Sequence, residues 1–237
     1  MAPRPAIRPF HLRPATALAE RVLLPGDPHG ALAVAQALLD GPRMFNHARG
    51  LWGYTGVAAD GEPLTVQSTG LGGPSAAIVC EELIGLGARR LVSIGTAAAL
   101  DDETAPGTLV AAEWVIALDG AGAGLAGMDA RLDPDPVLLA RLVEAGATPG
   151  TVASTDLFYD PPALDRPSEA GRDGPLALDL QAAAILGVAV RRGAAAACLA
   201  GVTGAIGANG AGAPEPQTLE DLGVRLGEAG YAALRIP

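Results

Sequence analysis

The stretch from Ser68 to Thr96 limits the folds open to this chain more than any other part of it. It reads as an apolar strand, a glycine-rich turn, a helix that opens at Pro74–Ser75 and a second strand that ends in Gly95–Thr96. The glycines of the turn are Gly70, Gly72 and Gly73. Two strands joined through a helix form the repeating unit of α/β folds. A turn that places free backbone N–H groups at a helix start also suits an anion.

The same alternation of strands and helices continues along the chain. The predicted strands are Arg21–Leu24, Leu51–Val57, Leu64–Ser68, Arg90–Ile94, Thr108–Leu118, Gly150–Ser154 and Ala195–Val202. The predicted helices are Ala31–Leu39, Ser75–Leu86, Asp135–Glu144, Asp179–Arg192 and Thr218–Leu234. This order predicts an α/β protein, a three-layer α/β/α sandwich with a mixed central β-sheet, in a single domain over residues 1–237. Ligands of such sheets lie beyond the carboxyl ends of the strands.

Composition and charge exclude several classes of function. The formal net charge of −10 argues against sequence-independent binding of nucleic acid. The apolar runs fall short of the ~20 residues that a membrane helix needs, so we expect no membrane partner. With 49% hydrophobic and 18% charged residues, the composition is that of a soluble globular protein, which we expect in the cytoplasm. All 16 basic residues are arginine, and the lack of lysine excludes Schiff-base catalysis and a P-loop.

The two cysteines, Cys80 and Cys198, lie inside apolar segments. Neither has a CxxC partner or the spacing of a metal ligand, so we predict buried free thiols and no metal site. A catalytic cysteine would need a histidine near it in the fold. All three histidines fall in the first fifth of the chain, and no local signature of a catalytic cysteine is present.

An ordered set of motifs spans nearly the whole chain. It comprises Phe10-His11-Leu12, LLPGDP (23–28), Asn46–Gly50, STGLGGPS (68–75), EELIGLG (81–87), IGT (94–96), ALDGA (117–121), STDLFY (154–159), AGV (200–202) and APEPQTLED (213–221). The set resembles the nucleoside phosphorylase-I family, and within it the uridine phosphorylase branch most closely. The resemblance implies an enzyme of nucleoside salvage, a pentosyltransferase that cleaves the N-glycosidic bond of a nucleoside with phosphate to give a base and ribose 1-phosphate. It also implies no cofactor beyond phosphate as co-substrate, with a homodimer as the minimal unit and a hexamer possible.

The resemblance implies roles for individual residues at the phosphate and ribose positions. Gly26 and Thr96 match the residues that bind phosphate, and Arg49 matches an arginine that reaches phosphate in the neighbouring subunit's site. His11 matches a histidine that contacts ribose across the same interface. Gln181 stands where the family has a glutamate that holds the ribose hydroxyls, and Arg49 and Gln181 are the expected catalytic residues.

Three further positions match the sugar and base sites. Leu180 replaces a methionine that lines the sugar, within a triplet Asp179-Leu180-Gln181 where the family has Glu-Met-Glu. Phe158 matches an aromatic residue stacked near the base, and Gly72 lies near the base as well. The amide of Gln181 can still form hydrogen bonds to a diol. Because Gln181 has no carboxylate, it adds no negative charge beside an oxocarbenium-like sugar.

The chain departs from the family pattern at the anion and base sites. Gly30 and Ser93 stand where two phosphate-binding arginines are expected. Of the family's three phosphate-binding arginines, this chain therefore matches one, Arg49. Losing two charge-assisted contacts weakens phosphate binding on the order of 10²- to 10⁴-fold unless another group substitutes, and His29 beside Gly30 is a candidate.

The base site lacks the family's recognition residues. No Gln-x-Arg pair for a pyrimidine follows Tyr159, and Arg166 and Arg172 are the cationic candidates there. Gly204 follows Val202-Thr203, where the purine branch has an aspartate. Phosphorolysis, phosphate-independent hydrolysis of a nucleoside and non-catalytic binding of a nucleoside therefore stay open. The glycine-rich stretch Gly204–Gln217 is a candidate flap.

Overall fold

A mixed β-sheet of ten strands forms the centre of the computed structural model, which describes residues 8–100, 104–159, 176–205 and 215–235. The strands are β1 (Arg21–Pro25), β2 (Leu39–Asn46), β3 (Gly53–Ala58), β4 (Pro63–Gln67), β5 (Arg90–Ala99), β6 (Leu109–Ala117), β7 (Arg131–Leu132), β8 (Thr148–Ser154), β9 (Ala177–Asp179) and β10 (Ala195–Ala205). The helices are α1 (Pro28–Leu38), α2 (Gly73–Leu86), α3 (Gly120–Ala126), α4 (Pro136–Glu144), α5 (Ala182–Arg192) and α6 (Pro216–Leu234). A short 3₁₀ turn covers Ala48–Gly50.

Part of the sheet closes on itself. Strand β5 pairs in parallel with β10 and antiparallel with β9, while β6 pairs with both β10 and β8, and β8 pairs with β9. Strands β5, β10, β6, β8 and β9 therefore form a ring. From β5 the sheet continues outward through β1, β4, β3 and β2. Parallel and antiparallel pairs both occur, so the predicted mixed sheet is confirmed.

Helices cover both faces of the sheet. On one face α2, α3 and α5 pack through residues such as Val79, Leu125 and Ile185, and on the other α1, α4 and α6 pack through residues such as Val34, Leu142 and Leu226. Successive strand residues alternate between the two faces. In β5, Leu91 and Ala97 lie in the first core, whereas Val92 and Ile94 lie in the second. The predicted three-layer α/β/α arrangement is confirmed.

The structure corrects two predicted boundaries close to the site. Strand β5 does not end at Gly95–Thr96 but continues to Ala99, because β10 pairs along this whole length and β9 pairs with its last residues. The helix predicted over Asp179–Arg192 begins at Ala182, because residues 177–179 form β9 between β5 and β8.

Three further elements, β2, α3 and the two-residue strand β7, have no counterpart in the prediction. Gly41-Pro42 interrupts β2, which is tolerated because β2 lies at the end of the sheet and pairs with β3 alone. Helix α3 has the glycine-rich sequence GAGAGLA, a poor helix former, and begins where the Asp119 carboxylate accepts the N–H of Gly122. Within the described ranges, no helix is both long enough and apolar enough to cross a membrane.

Candidate active site

The side chain of Gln181 lies where the end of β1, the glycine turn before α2 and the start of α5 meet. Gln181 is 7% exposed. A Cβ atom placed on Gly26 would lie 3.5 Å from Gln181 Nε2 and 3.6 Å from the carbonyl oxygen of Gly70. The Gly70 N–H in turn donates to the carbonyl of Gly26 at 3.0 Å. The structure thus brings together the predicted phosphate glycine and the predicted ribose glutamine.

Thr69 completes this arrangement, and the sequence prediction gave it no role. Its hydroxyl lies 3.3 Å from Gln181 Oε1 and 3.2 Å from the carbonyl oxygen of Pro25. When that hydroxyl donates to Oε1, the Nε2 end of the Gln181 amide points away from Thr69. Among the described residues, no acceptor is hydrogen-bonded to Nε2. We call Gly26, Thr69, Gly70 and Gln181 the Gln181 cluster. It presents an N–H₂ donor beside a backbone turn, an arrangement that suits a hydroxylated ligand.

Asp179 and Ser154 hold the backbone of Gln181. The Asp179 carboxylate accepts the backbone N–H groups of Gln181 (3.2 Å) and Ala182 (2.8 Å), and it accepts the hydroxyl of Ser154. Ser154 Oγ accepts the N–H of Ala183 at 2.9 Å. Three N–H groups at the start of α5 are therefore satisfied by two side chains. Ser154 belongs to the STDLFY motif, the one sequence signal that could have identified it.

Burial raises the pKa of Asp179 to about 6, against the lowering effect of these hydrogen bonds, and the nearby Asp119 carboxylate raises it further. Asp119 is fully buried at the start of α3. Its pKa is also raised, mainly by burial and in addition by repulsion from Asp156, although the hydrogen bond from the Gly122 N–H opposes the shift. Three carboxylates thus lie beneath or beside the candidate site, and their negative charge disfavours a bound dianion.

The remaining predicted residues of this edge lie around the Gln181 cluster. Thr96 is exposed in β5, two residues beyond Ile94, which pairs with Pro25 directly before Gly26. Gly72 precedes α2 with φ of 83°, a left-handed conformation that favours glycine. Leu180 is partly buried between Asp179 and Gln181. Phe158 is 69% exposed, with its ring edge-on to Tyr159 at 4.9 Å between centroids.

Arg49 lies on a separate loop that a buried asparagine supports. The Arg49 side chain is exposed, and its backbone has φ of 59°, which is uncommon for a residue other than glycine. Asn46 is fully buried: its oxygen accepts the N–H groups of Arg13 (2.8 Å) and Ala48 (3.3 Å), and its amide donates to the carbonyl of Leu51. Among the described residues, no hydrogen bond joins Arg49 to the Gln181 cluster.

His11 is also held away from the Gln181 cluster. Its Nδ1 lies 2.8 Å from Oε1 of Glu82 on α2. Glu82 comes ten residues after Gly72, which corresponds to roughly 15 Å along the helix axis. The structure therefore does not bring His11 and Gln181 together within one subunit.

Gly30 and Ser93, which stand where arginines were expected, differ in how much space surrounds them. A Cβ on Gly30 would lie 3.5 Å from Asp27 Oδ2, an ordinary contact that leaves room for a side chain. Ser93 is buried in β5 and pairs in register with Cys198 of β10. Both cysteines are buried free thiols, as predicted.

His29 lies at the surface with Nε2 3.5 Å from Glu220, so its ring has a carboxylate partner already. Arg166 and Arg172 lie outside the described residues, as do residues 206–214 of the candidate flap.

Comparisons with known proteins identify relatives over most of the chain. The model of the Phosphorylase superfamily matches residues 20–235. A DeoD-type purine nucleoside phosphorylase of Streptococcus suis is 33% identical over 176 residues, which cover 71% of this chain and 74% of that protein. Another from Roseobacter denitrificans is 33% identical over 184 residues, covering 73% and 77%. A uridine phosphorylase of Treponema pallidum is 35% identical over 144 residues, covering 58% of this chain and 55% of that protein.

Proposed function

Because the chain belongs to the phosphorylase superfamily, we propose that it is a uridine phosphorylase-like enzyme of nucleoside metabolism. It cleaves the N-glycosidic bond of a nucleoside with inorganic phosphate as co-substrate and without a cofactor, and releases the base and ribose 1-phosphate. The observation that carries this proposal is the buried Gln181 amide, held by Thr69 beside Gly26 at the edge of the sheet. Relatives named for purine nucleosides and for uridine match at similar identity, so the base is the open part of the proposal.

The proposed mechanism follows from where charge develops. As the bond to the base lengthens, the sugar ring becomes positive and the base gathers negative charge, while phosphate attacks the opposite face. Gln181 Nε2 binds a ribose hydroxyl and orients the ring, and the turn at Gly26 together with the Thr96 hydroxyl places the phosphate. Phe158 is the stacking residue for the base.

The proposal includes a homodimer, because Arg49 is exposed and His11 partly exposed, and both lie away from the Gln181 cluster of their own subunit. Phe10, next to His11, is 74% exposed, and Ile78, one helical turn before Glu82 on α2, is 38% exposed. Apolar side chains beside a cation and an imidazole fit a surface that packs against a second copy of the chain. In that assembly Arg49 of one subunit supplies the cation for the phosphate of the other.

Hydrolysis is the second candidate, and the residues at positions 30 and 93 favour it. Neither Gly30 nor the buried Ser93 supplies a cation, while the Asp179 carboxylate lies directly behind Gln181. A neutral water molecule is less disfavoured by that charge than a phosphate dianion.

The test is release of free base from a panel of purine and pyrimidine nucleosides, with and without phosphate. Phosphate-dependent release with ribose 1-phosphate as product supports phosphorolysis, whereas equal rates without phosphate replace it with hydrolysis. Gln181→Ala should lower kcat/KM about tenfold through loss of a hydrogen bond, and Gln36→Ala, at an exposed position on α1, is the matched control. Binding of nucleosides without any release of base would refute both enzymatic proposals.

A further inference from the structure

The Glu82 carboxylate is almost completely enclosed by N–H donors from the N-terminal segment. Its side chain is 5% exposed. It accepts the backbone N–H groups of Phe10 (3.0 Å), His11 (2.9 and 3.1 Å) and Leu12 (2.7 Å), as well as Nδ1–H of the His11 ring (2.8 Å). Burial alone raises a carboxyl pKa, but here the bonds from Leu12, His11 and Phe10 outweigh it and hold the pKa of Glu82 below its ordinary value.

This arrangement determines which nitrogen of His11 carries a proton. An ionised carboxylate accepts hydrogen bonds and donates none, so Nδ1 must be protonated in the neutral ring as well as in the charged one. In the neutral ring, Nε2 is then the acceptor. The His11 side chain is 28% exposed, with its ring edge-on to the exposed ring of Phe10 at 5.0 Å. The second nitrogen is therefore the one left for a ligand outside this subunit.

We propose that Glu82 is a positioning residue, which holds His11 as the Nδ1–H tautomer and presents Nε2 to a ribose hydroxyl in the neighbouring subunit's site. This inference rests on the proposed function and its dimer. Glu82 does not touch the nucleoside; it acts through His11. If Glu82 were only a structural anchor of residues 10–12, its replacement would act on KM independently of the His11 side chain.

Glu82→Gln tests the proposal because an amide cannot accept from all of these donors at once. Its N–H₂ group must face an N–H donor on one side, either Nδ1–H of His11 or the N–H of Leu12. In both orientations the negative charge that favours Nδ1–H is lost, so the tautomer of the His11 ring is no longer fixed. We expect the KM for the nucleoside to rise about tenfold with a smaller change in kcat, because a charge-assisted bond that orients the ring is lost. Glu81→Gln is the matched control: it removes the same charge from the adjacent position, where the carboxylate pairs with Arg192 instead.

A double-mutant cycle separates positioning from anchoring. If Glu82 acts through His11, Glu82→Gln should have little further effect on KM in a His11→Ala background. Additive effects of the two substitutions would overturn the proposal. His11→Asn covers the case in which Glu82→Gln does not fold, because it leaves Glu82 in place and keeps a donor near the Nδ1 position. We expect His11→Asn to raise KM as much as His11→Ala, and an unchanged KM would contradict the role of Nε2.

The ring nitrogens of His11 supply a readout that needs no turnover. Nitrogen-15 NMR of the three histidines, assigned with His11→Ala, should show the Nδ1–H form for neutral His11 in the wild type and a mixture in Glu82→Gln. An Nε2–H form in the wild type overturns the inference. If the wild-type protein releases no base from any nucleoside, the proposed function fails, and the spectrum still decides whether Glu82 sets the tautomer of His11.

Discussion

Replacing Asp179 with asparagine should remove a pH-dependent loss of stability that the wild-type protein carries at the start of α5. Burial raises the pKa of Asp179 from its ordinary 3.8 to about 6. Between these values the folded protein binds a proton at Asp179 more readily than the unfolded chain does. The free energy of unfolding therefore falls as the pH rises through this window. A shift of about two pKa units, at about 1.4 kcal/mol per unit, amounts to about 3 kcal/mol above pH 6.

Asparagine keeps most of the hydrogen bonds and none of the charge. Its oxygen can accept the N–H groups of Gln181 and Ala182, and its amide can donate to Ser154 Oγ, the atoms that the carboxylate now serves. The free energy of unfolding of Asp179→Asn, relative to wild type, should rise by about 2 kcal/mol between pH 4 and pH 7. The change with pH is the tested quantity, so a constant offset from altered packing does not affect it.

Urea unfolding of both proteins at steps of pH measures this difference. Asp135→Asn is the matched control, because Asp135 also caps a helix, accepting the N–H groups of Val137 and Leu138 at the start of α4. It distinguishes the loss of any capping carboxylate from the loss of this partly buried one, whose pKa is raised. Parallel stability curves for wild type and Asp179→Asn across the whole range would refute the reasoning.

Three other substitutions test separate parts of the structure. Arg21→Met leaves the buried Asp60 carboxylate without its bidentate partner and should lower the free energy of unfolding by about 3–5 kcal/mol, measured in urea. Gly30→Arg adds a cation where a side chain fits beside Asp27 and should tighten phosphate binding about tenfold by isothermal titration calorimetry. Asn46→Ala removes the bonds that hold the Arg49 loop and should raise the KM for phosphate about tenfold while Gln36→Ala does not.

Much of the fold could be predicted because local patterns agreed with tertiary packing. The strand–turn–helix unit from Ser68 onward has Gly70 and Gly72 at positive φ and its helix at Gly73–Leu86, close to the predicted boundaries. The missed elements are those in which local propensity opposes the final structure. Strand β2 contains Gly41-Pro42 and helix α3 is largely glycine and alanine, so pairing with β3 and the Asp119 cap decide their conformation.

The candidate site was less accessible to prediction than the fold. Gly26 and Gln181 were predicted from their motifs, and the structure brings them together. The roles predicted for them, and for Arg49, Thr96 and Phe158, stay predictions until the kinetic tests are made. Thr69 and Ser154 received no role because a threonine or serine at the end of a strand has many ordinary uses, and only the contacts distinguish these two.

Most strands and helices, the glycine turn at the sheet edge and the residues available for chemistry follow from local sequence patterns. Those features depend on periodicity and backbone propensity, which act over a few neighbouring residues. The contact of Thr69 with Gln181, 112 positions away, and that of His11 with Glu82, 71 positions away, exist only in the folded protein. Such contacts arise from how the strands and helices pack. The packing places the glycine turn that follows Ser68 against the start of α5, and it leaves Arg49 exposed and His11 partly exposed.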